Sequence, residues 1–207
     1  GRRGLALDVV AVSAVIDACA KAGDAARAEG WFERGVAEGI EPNIFMYTSV
    51  IDAHAQTGSG DAAAQWMQRA LDRRLSPTLV SYNAVINAYT RSGQVERVRE
   101  WMQQAHDAGC APDLTTFNSA IHACARRGDV AGMDRLVGEL EAAGKRLDQV
   151  SYNTILDGCA KAGDAESAER WAAEMRAAGL KPNARTYAGM VSAYASAGGM
   201  ERARAWF

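Results

Sequence analysis

The chain is poor in the residues that usually announce chemistry. Its four cysteines, Cys19, Cys110, Cys124 and Cys159, form no CxxC pair, which removes the commonest zinc and thiol-redox patterns. Three of them, Cys19, Cys124 and Cys159, fall at one repeat position, where stacking keeps them on different layers, so they read as reduced core thiols of a reducing compartment. The three histidines keep no ligand spacing, and neither a metal site nor a cofactor is expected. No Ser/His/Asp or Cys/His constellation gathers, so no catalytic residue is assigned and the chain is not read as an enzyme. Long apolar runs are missing too, and with them any membrane insertion. Excess positive charge is lacking: 23 Lys and Arg stand against 25 Asp and Glu, a net −2, so the overall field does not draw a polyanion. Proline occurs four times only, as Pro42, Pro77, Pro112 and Pro182.

Those prolines stand at multiples of one step, and so does nearly everything else. Shifted by thirty-five residues the chain falls on itself: Tyr47, Tyr82, Phe117, Tyr152 and Tyr187 superpose, as do Gly23, Gly58, Gly93, Gly128, Gly163 and Gly198. Trp31, Trp66, Trp101, Trp171 and Trp206 keep the same register, with Leu136 in the one gap. Such self-similarity marks a repeat array, to be read repeat by repeat. The whole of 1–207 reads as one array, with complete units at 9–43, 44–78, 79–113, 114–148 and 149–183. Residues 1–8 read as the tail of a preceding repeat and 184–207 as a partial sixth, as in a segment of something longer.

Each unit supplies two helices. The first carries an aromatic residue and then aliphatics three and four positions on, as in Tyr82, Val85, Ile86 and Tyr89, one face of a 3.6-residue period. Small residues beside it, Ala18, Ala53, Ala88, Ala123 and Gly158, admit a close partner. Asp24, Ser59, Asp129 and Asp164 are expected to cap the second helix, which ends at Gly39, Gly109, Gly144 and Gly179, with Arg74 the exception. Alternating short helices and turns predict an all-α fold, a right-handed superhelical α-solenoid of antiparallel helix pairs. The tryptophan series could stack bases, but its place on the second helix, three residues after a small inward one, makes it core packing.

The period, the aromatic-Asn at Tyr82-Asn83, Phe117-Asn118 and Tyr152-Asn153, and the Pro-Asp or Pro-Asn closing most units resemble pentatricopeptide repeats. Val12 for the aromatic, Leu147 for a proline and Arg74 for a glycine are local departures. The resemblance implies a sequence-specific binder of single-stranded RNA in the mitochondrion or chloroplast, acting in RNA processing, stability or translation and reading one base per repeat. By that resemblance the bases are selected by Ser13 with Asn43, Thr48 with Thr78, Asn83 with Asp113, Asn118 with Asp148, and Asn153 with Asn183. Carboxamides both donate and accept, whereas a carboxylate only accepts. Asn with Asp then implies U, Asn with Asn C, Ser with Asn A, and the Thr pair a purine, giving 5′-A-R-U-U-C-3′. The resemblance also implies base sandwiching by Val10, Phe45, Val80, Thr115 and Val150, and a phosphate track of Lys21, Arg91, Arg126 and Lys161.

Each of these has a structural alternative. Asn43, Thr78, Asp113, Asp148 and Asn183 are good N-caps whether or not RNA is present. Basic residues late in a helix complement its dipole. The near-neutral charge and the lost selector at Ala188 keep open a scaffold that holds other proteins of an organellar complex.

Overall fold

The structure, a computed structural model, describes residues 8–199, 201, 202 and 204. Trp206, Phe207 and residues 1–7 of the expected tail lie outside the described residues. The described residues contain eleven helices: α1 (Val9–Lys21), α2 (Ala25–Ala37), α3 (Ile44–Thr57), α4 (Gly60–Asp72), α5 (Leu79–Ser92), α6 (Val95–Asp107), α7 (Leu114–Arg127), α8 (Val130–Ala142), α9 (Gln149–Ala162), α10 (Ala165–Ala177) and α11 (Ala184–Ser196). Consecutive helices form antiparallel pairs. None is long and apolar enough to cross a membrane.

Local chemistry sets these boundaries. Asp8, Asn43, Asp113, Asp148 and Asn183 each accept an N–H from the first turn of the helix they open, satisfying donors the helix leaves orphaned. Asp24, Asp129 and Asp164 do the same for α2, α8 and α10. Ser59 departs from expectation: it makes no side-chain cap to α4, and its hydroxyl instead meets Thr57 Oγ1 at 2.9 Å. The turn after each second helix is left-handed, with Gly109 at φ 76° and Gly144 at φ 71°. Arg74 holds the same conformation at φ 57°, the one non-glycine with positive φ among the described residues. The turn geometry therefore survives the missing glycine, at a steric cost.

The helices gather into two compact units, Gly1–Ala111 and Pro112–Phe207. In the first, α1, α3 and α5 pack side by side, while α2 and α4 each pack on their own first helix and on the next one. In the second, α7, α9 and α11 form the row, and α8 and α10 cover it in the same manner. The covered side is largely apolar: Ile16, Ile51, Ile86, Ile121 and Leu156 stand at one position and are fully buried, each burial contributing about 1.5–3 kcal/mol. Ala53, Ala88 and Ala123 are buried as expected, whereas Ala18, on α1, is exposed.

The tryptophans confirm core packing. Trp66, Trp101 and Trp171 are buried, with Leu136 in the same role, while Trp31 is only half-buried. In the first unit Phe32 meets Tyr47 and Trp66 edge-on, both at 4.8 Å between ring centroids, a favoured geometry. Buried indole N–H groups find acids one repeat earlier: Trp66 Nε1 donates to Glu29 Oε1 at 2.8 Å and Trp171 Nε1 to Asp134 Oδ1 at 3.2 Å. Glu29 also meets His54 Nε2 at 2.8 Å. Burial pushes the Glu29 carboxyl up, but these two bonds outweigh it and hold it below its ordinary value.

Candidate nucleic-acid interface

The side of each row that the second helices leave uncovered has a regular surface. In α5 it presents Val80, Asn87 and Arg91, and in α9 Val150, Asp157 and Lys161, all exposed. These stand at i, i+7 and i+11 and so share one helix face.

Exposed large hydrophobic residues concentrate in this surface. Val10 (71% exposed), Phe45 (55%), Val80 (67%) and Val150 (59%) occupy the second position of α1, α3, α5 and α9, and only Val9 and Tyr187 join them among the described residues. Isolated exposed apolar side chains are ordinary, but a set recurring once per repeat is not scattered. Thr115, exposed at the same position of α7, is its polar member. In α11 the position is Arg185, whose guanidinium pairs with Asp157 Oδ2 at 2.7 Å.

The residues expected to select bases lie beside this column. Within the second unit the structure brings both of their pairs together through a hydroxyl. Ser151 Oγ is 2.6 Å from Asn118 Oδ1 and 2.7 Å from Asp148 Oδ1, while the Ser151 N–H donates to Asp148 Oδ1 at 2.8 Å. Thr186 Oγ1 is 2.8 Å from Asn153 Oδ1 and 3.1 Å from Asn183 Oδ1, and the Thr186 N–H donates to Asn183 Oδ1 at 3.0 Å. In the first unit Ser81 Oγ meets Thr48 Oγ1 at 2.6 Å and accepts the Thr78 N–H at 3.4 Å. Thr116 answers Asp113 in the same way, accepting its N–H at 3.2 Å while its own N–H donates to Asp113 Oδ1 at 2.9 Å. Asn83 is half-buried in the first unit, and Asp113 belongs to the second.

Ser13 and Asn43 are not joined in this fashion. Ser13 is buried, and the bridging position is Met46, whose backbone N–H alone meets Asn43 Oδ1 at 3.0 Å. The hydroxyl column of Ser81, Thr116, Ser151 and Thr186 is what the sequence reading missed. Its signal was present, a Ser or Thr directly before the aromatic in four successive units.

Burial pushes the Asp148 carboxyl up. Hydrogen bonding, chiefly from the Ser151 backbone N–H, outweighs it, and the group is held below its ordinary value. Asp148 is a carboxylate, acceptor only, at neutral pH.

The basic residues are exposed on this surface, but each described contact ties them inward. Lys21 pairs with Asp17 at 2.6 Å. Arg91 donates to the Gln56 carbonyl at 3.4 Å and to its side chain at 3.1 Å, and Lys161 donates to the Arg126 carbonyl. The last two close the C-terminus of the preceding first helix, where positive charge is favoured. Between α9 and α11 a cavity of about 460 Å³ is lined by Asp157, Lys161, Arg185, Ser192 and Ser196 beside Ala188.

Antiparallel helix pairs repeating at thirty-five residues define an α-solenoid repeat protein. The chain belongs to the pentatricopeptide repeat family: profiles described as "PPR repeat family" match residues 77–126 and 147–196, "Pentatricopeptide repeat domain" 32–92, and "PPR repeat" 10–40 and 115–144. Among solved structures, the chain resembles the pentatricopeptide repeat protein PPR10 in complex with an 18-nt psaJ RNA element, at 24% identity and a TM-score of 0.80 over 96% of this chain and 29% of that one. PPR10 from maize matches at 21% identity and a TM-score of 0.62, over 96% and 33%. The PPR domain of Arabidopsis thaliana protein-only RNase P 1 in complex with tRNA matches at 13% identity and a TM-score of 0.69, over 83% and 90%. At these identities the likeness is one of fold, and the chain spans about a third of the PPR10 chains. No curated protein sequence matches it.

Proposed function

We propose that this chain binds single-stranded RNA at one nucleotide per repeat and reads 5′-A-R-U-U-C-3′ with Ser13/Asn43, Thr48/Thr78, Asn83/Asp113, Asn118/Asp148 and Asn153/Asn183. The observation that carries this reading is the exposed apolar column Val10, Phe45, Val80 and Val150. It gives four of the five bases an apolar flank immediately beside the pair that reads it, with Thr115 beside the fourth, and base stacking of this kind contributes about 1–3 kcal/mol per base.

The capping bonds support the same reading. A cap uses one atom of a forked side chain and thereby turns the other outward. Asn183 spends Oδ1 on the Thr186 N–H, which leaves its amide nitrogen as the outward donor. With the Asn153 carboxamide it suits the acceptor edge of cytosine. Asp148 at the equivalent place can only accept, and suits the imide N–H of uracil. Capping and base selection are thus two ends of one side chain. Action in mitochondrial or chloroplast RNA processing, stability or translation belongs to this proposal too.

Gel shift of the protein with an unstructured RNA carrying AGUUC or AAUUC, beside scrambled RNAs of equal composition, tests it. We expect the word to bind at least about tenfold tighter, some 1.4 kcal/mol. Equal binding of word and scramble refutes base reading. Partners that survive nuclease treatment while RNA fails to bind would instead establish a protein scaffold.

A further inference from the structure

The hydroxyl column has no place in the proposed base code, yet Ser81, Ser151 and Thr186 each touch both members of one pair. Ser81 and Thr186 are fully buried and Ser151 nearly so, so these hydroxyls do not face a ligand. We propose that Ser81, Ser151 and Thr186 are positioning residues that fix which hydrogen-bonding atom each selector pair turns toward the base. This rests on the base-reading proposal and extends it.

The argument is one of proton counting. A hydroxyl has a single hydrogen, and Ser151 Oγ faces two acceptor oxygens, Asn118 Oδ1 at 2.6 Å and Asp148 Oδ1 at 2.7 Å. The Ser151 N–H already serves Asp148 Oδ1, so the hydroxyl proton goes where no other donor is found, to Asn118 Oδ1. Ser151 thus bridges Asn118 and Asp148, and the carboxamide is held in one of its two orientations. Without the hydroxyl, the terminal torsion of Asn118 is broad and roughly two-fold. It could then offer oxygen or nitrogen to the base with little preference, and discrimination between U and C would fade while stacking persisted. Thr186 repeats the arrangement, its N–H on Asn183 Oδ1 and its hydroxyl 2.8 Å from Asn153 Oδ1. The first repeat is the natural control, since the buried Met46 has no hydroxyl to place between Ser13 and Asn43.

The test is a set of RNAs that differ in a single nucleotide of the five-base word, bound by wild type, Ser151→Ala, Ser151→Thr and the isosteric Thr186→Val. In Ser151→Ala the preference for U over C at the fourth nucleotide falls by about tenfold, the size of one hydrogen bond to a polar partner. Preference at the fifth nucleotide is retained, and Ser151→Thr restores the fourth. Thr186→Val does the converse, losing preference for C at the fifth nucleotide. Wild type discriminates least at the first nucleotide, a readout that needs no variant to fold. If wild type discriminates at the fourth and fifth nucleotides and both variants keep those ratios, the positioning role is overturned and base reading stands. If wild type discriminates nowhere, both proposals fall.

Discussion

At the scale of single residues, the proposed base reading makes the outward atom of a capping side chain the group that decides what a repeat recognises. Asp148 and Asn183 cap α9 and α11 in the same way and differ in one outward group, a carboxylate oxygen against an amide nitrogen. Asp148→Asn should therefore keep the cap, leave stability nearly unchanged, and move the preference at the fourth nucleotide from U toward C, as read by competition binding. The pH dependence follows from the same bonds. Because the folded Asp148 carboxyl lies below its ordinary value, its contribution is present above the unfolded carboxylate value of about 3.9 and is lost as pH falls through the lower folded value. The U preference should accordingly be flat from about pH 8 to pH 5, where carboxylates stay ionised. A decline near neutral pH would exclude this carboxylate as the reading group. Arg74 offers a prediction about stability instead. A left-handed conformation costs a residue with a Cβ about 1–2 kcal/mol, and glycine returns part of that through its entropy in the unfolded chain. Arg74→Gly should stabilise the protein by about 1 kcal/mol in chemical denaturation.

At the scale of helices, the decisive quantity is how closely first helices approach. A Cβ on Gly158 in α9 would stand 2.7 Å from Met133 Cε and 2.9 Å from the Ala125 Cα. Met133 is flexible and can yield, but the α7 backbone cannot. Alanine would gain about 1 kcal/mol of helix propensity, against about 1–3 kcal/mol for overpacking. The steric term wins, so Gly158→Ala should destabilise, whereas a propensity-controlled site would be stabilised. This position was legible beforehand, since Gly158 shares its register with Ala53, Ala88 and Ala123. Helix ends were legible for a related reason: Gly109, Pro112 and Asp113 each fix a local conformation that needs no distant partner. The hydroxyl bridges were not. Ser151 before Tyr152 reads as the third residue of an ordinary capping box, and only the fold brings Asn118, thirty-three residues earlier, against it. Ser59 failed as a cap for the same reason that Ser and Thr are hard to read, because a hydroxyl bonded to a neighbour such as Thr57 is turned away from the N–H it would cap.

At the scale of the whole molecule, a net charge of −2 has to be reconciled with the phosphate-bearing ligand proposed above. Contact is governed by the local field along one face rather than by the sum over the chain. Binding single-stranded RNA releases counterions in proportion to the phosphates neutralised, with a slope of about −0.7 in log K against log salt for each. Lys21, Arg91, Arg126 and Lys161 together set a ceiling of about −3. Asp17 already matches the charge of Lys21, which lowers that ceiling to about −2. The acceptor described for Lys161 is a backbone carbonyl oxygen; it holds the side chain without neutralising it, so Lys161 remains able to meet a phosphate. Lys161→Ala should then flatten the slope by about 0.7 and weaken all RNAs alike, leaving the preferred word unchanged. A slope near zero in the wild type would remove the phosphate track and return these cations to their helix ends, while the stacking column and the paired selectors would still have to account for any RNA bound.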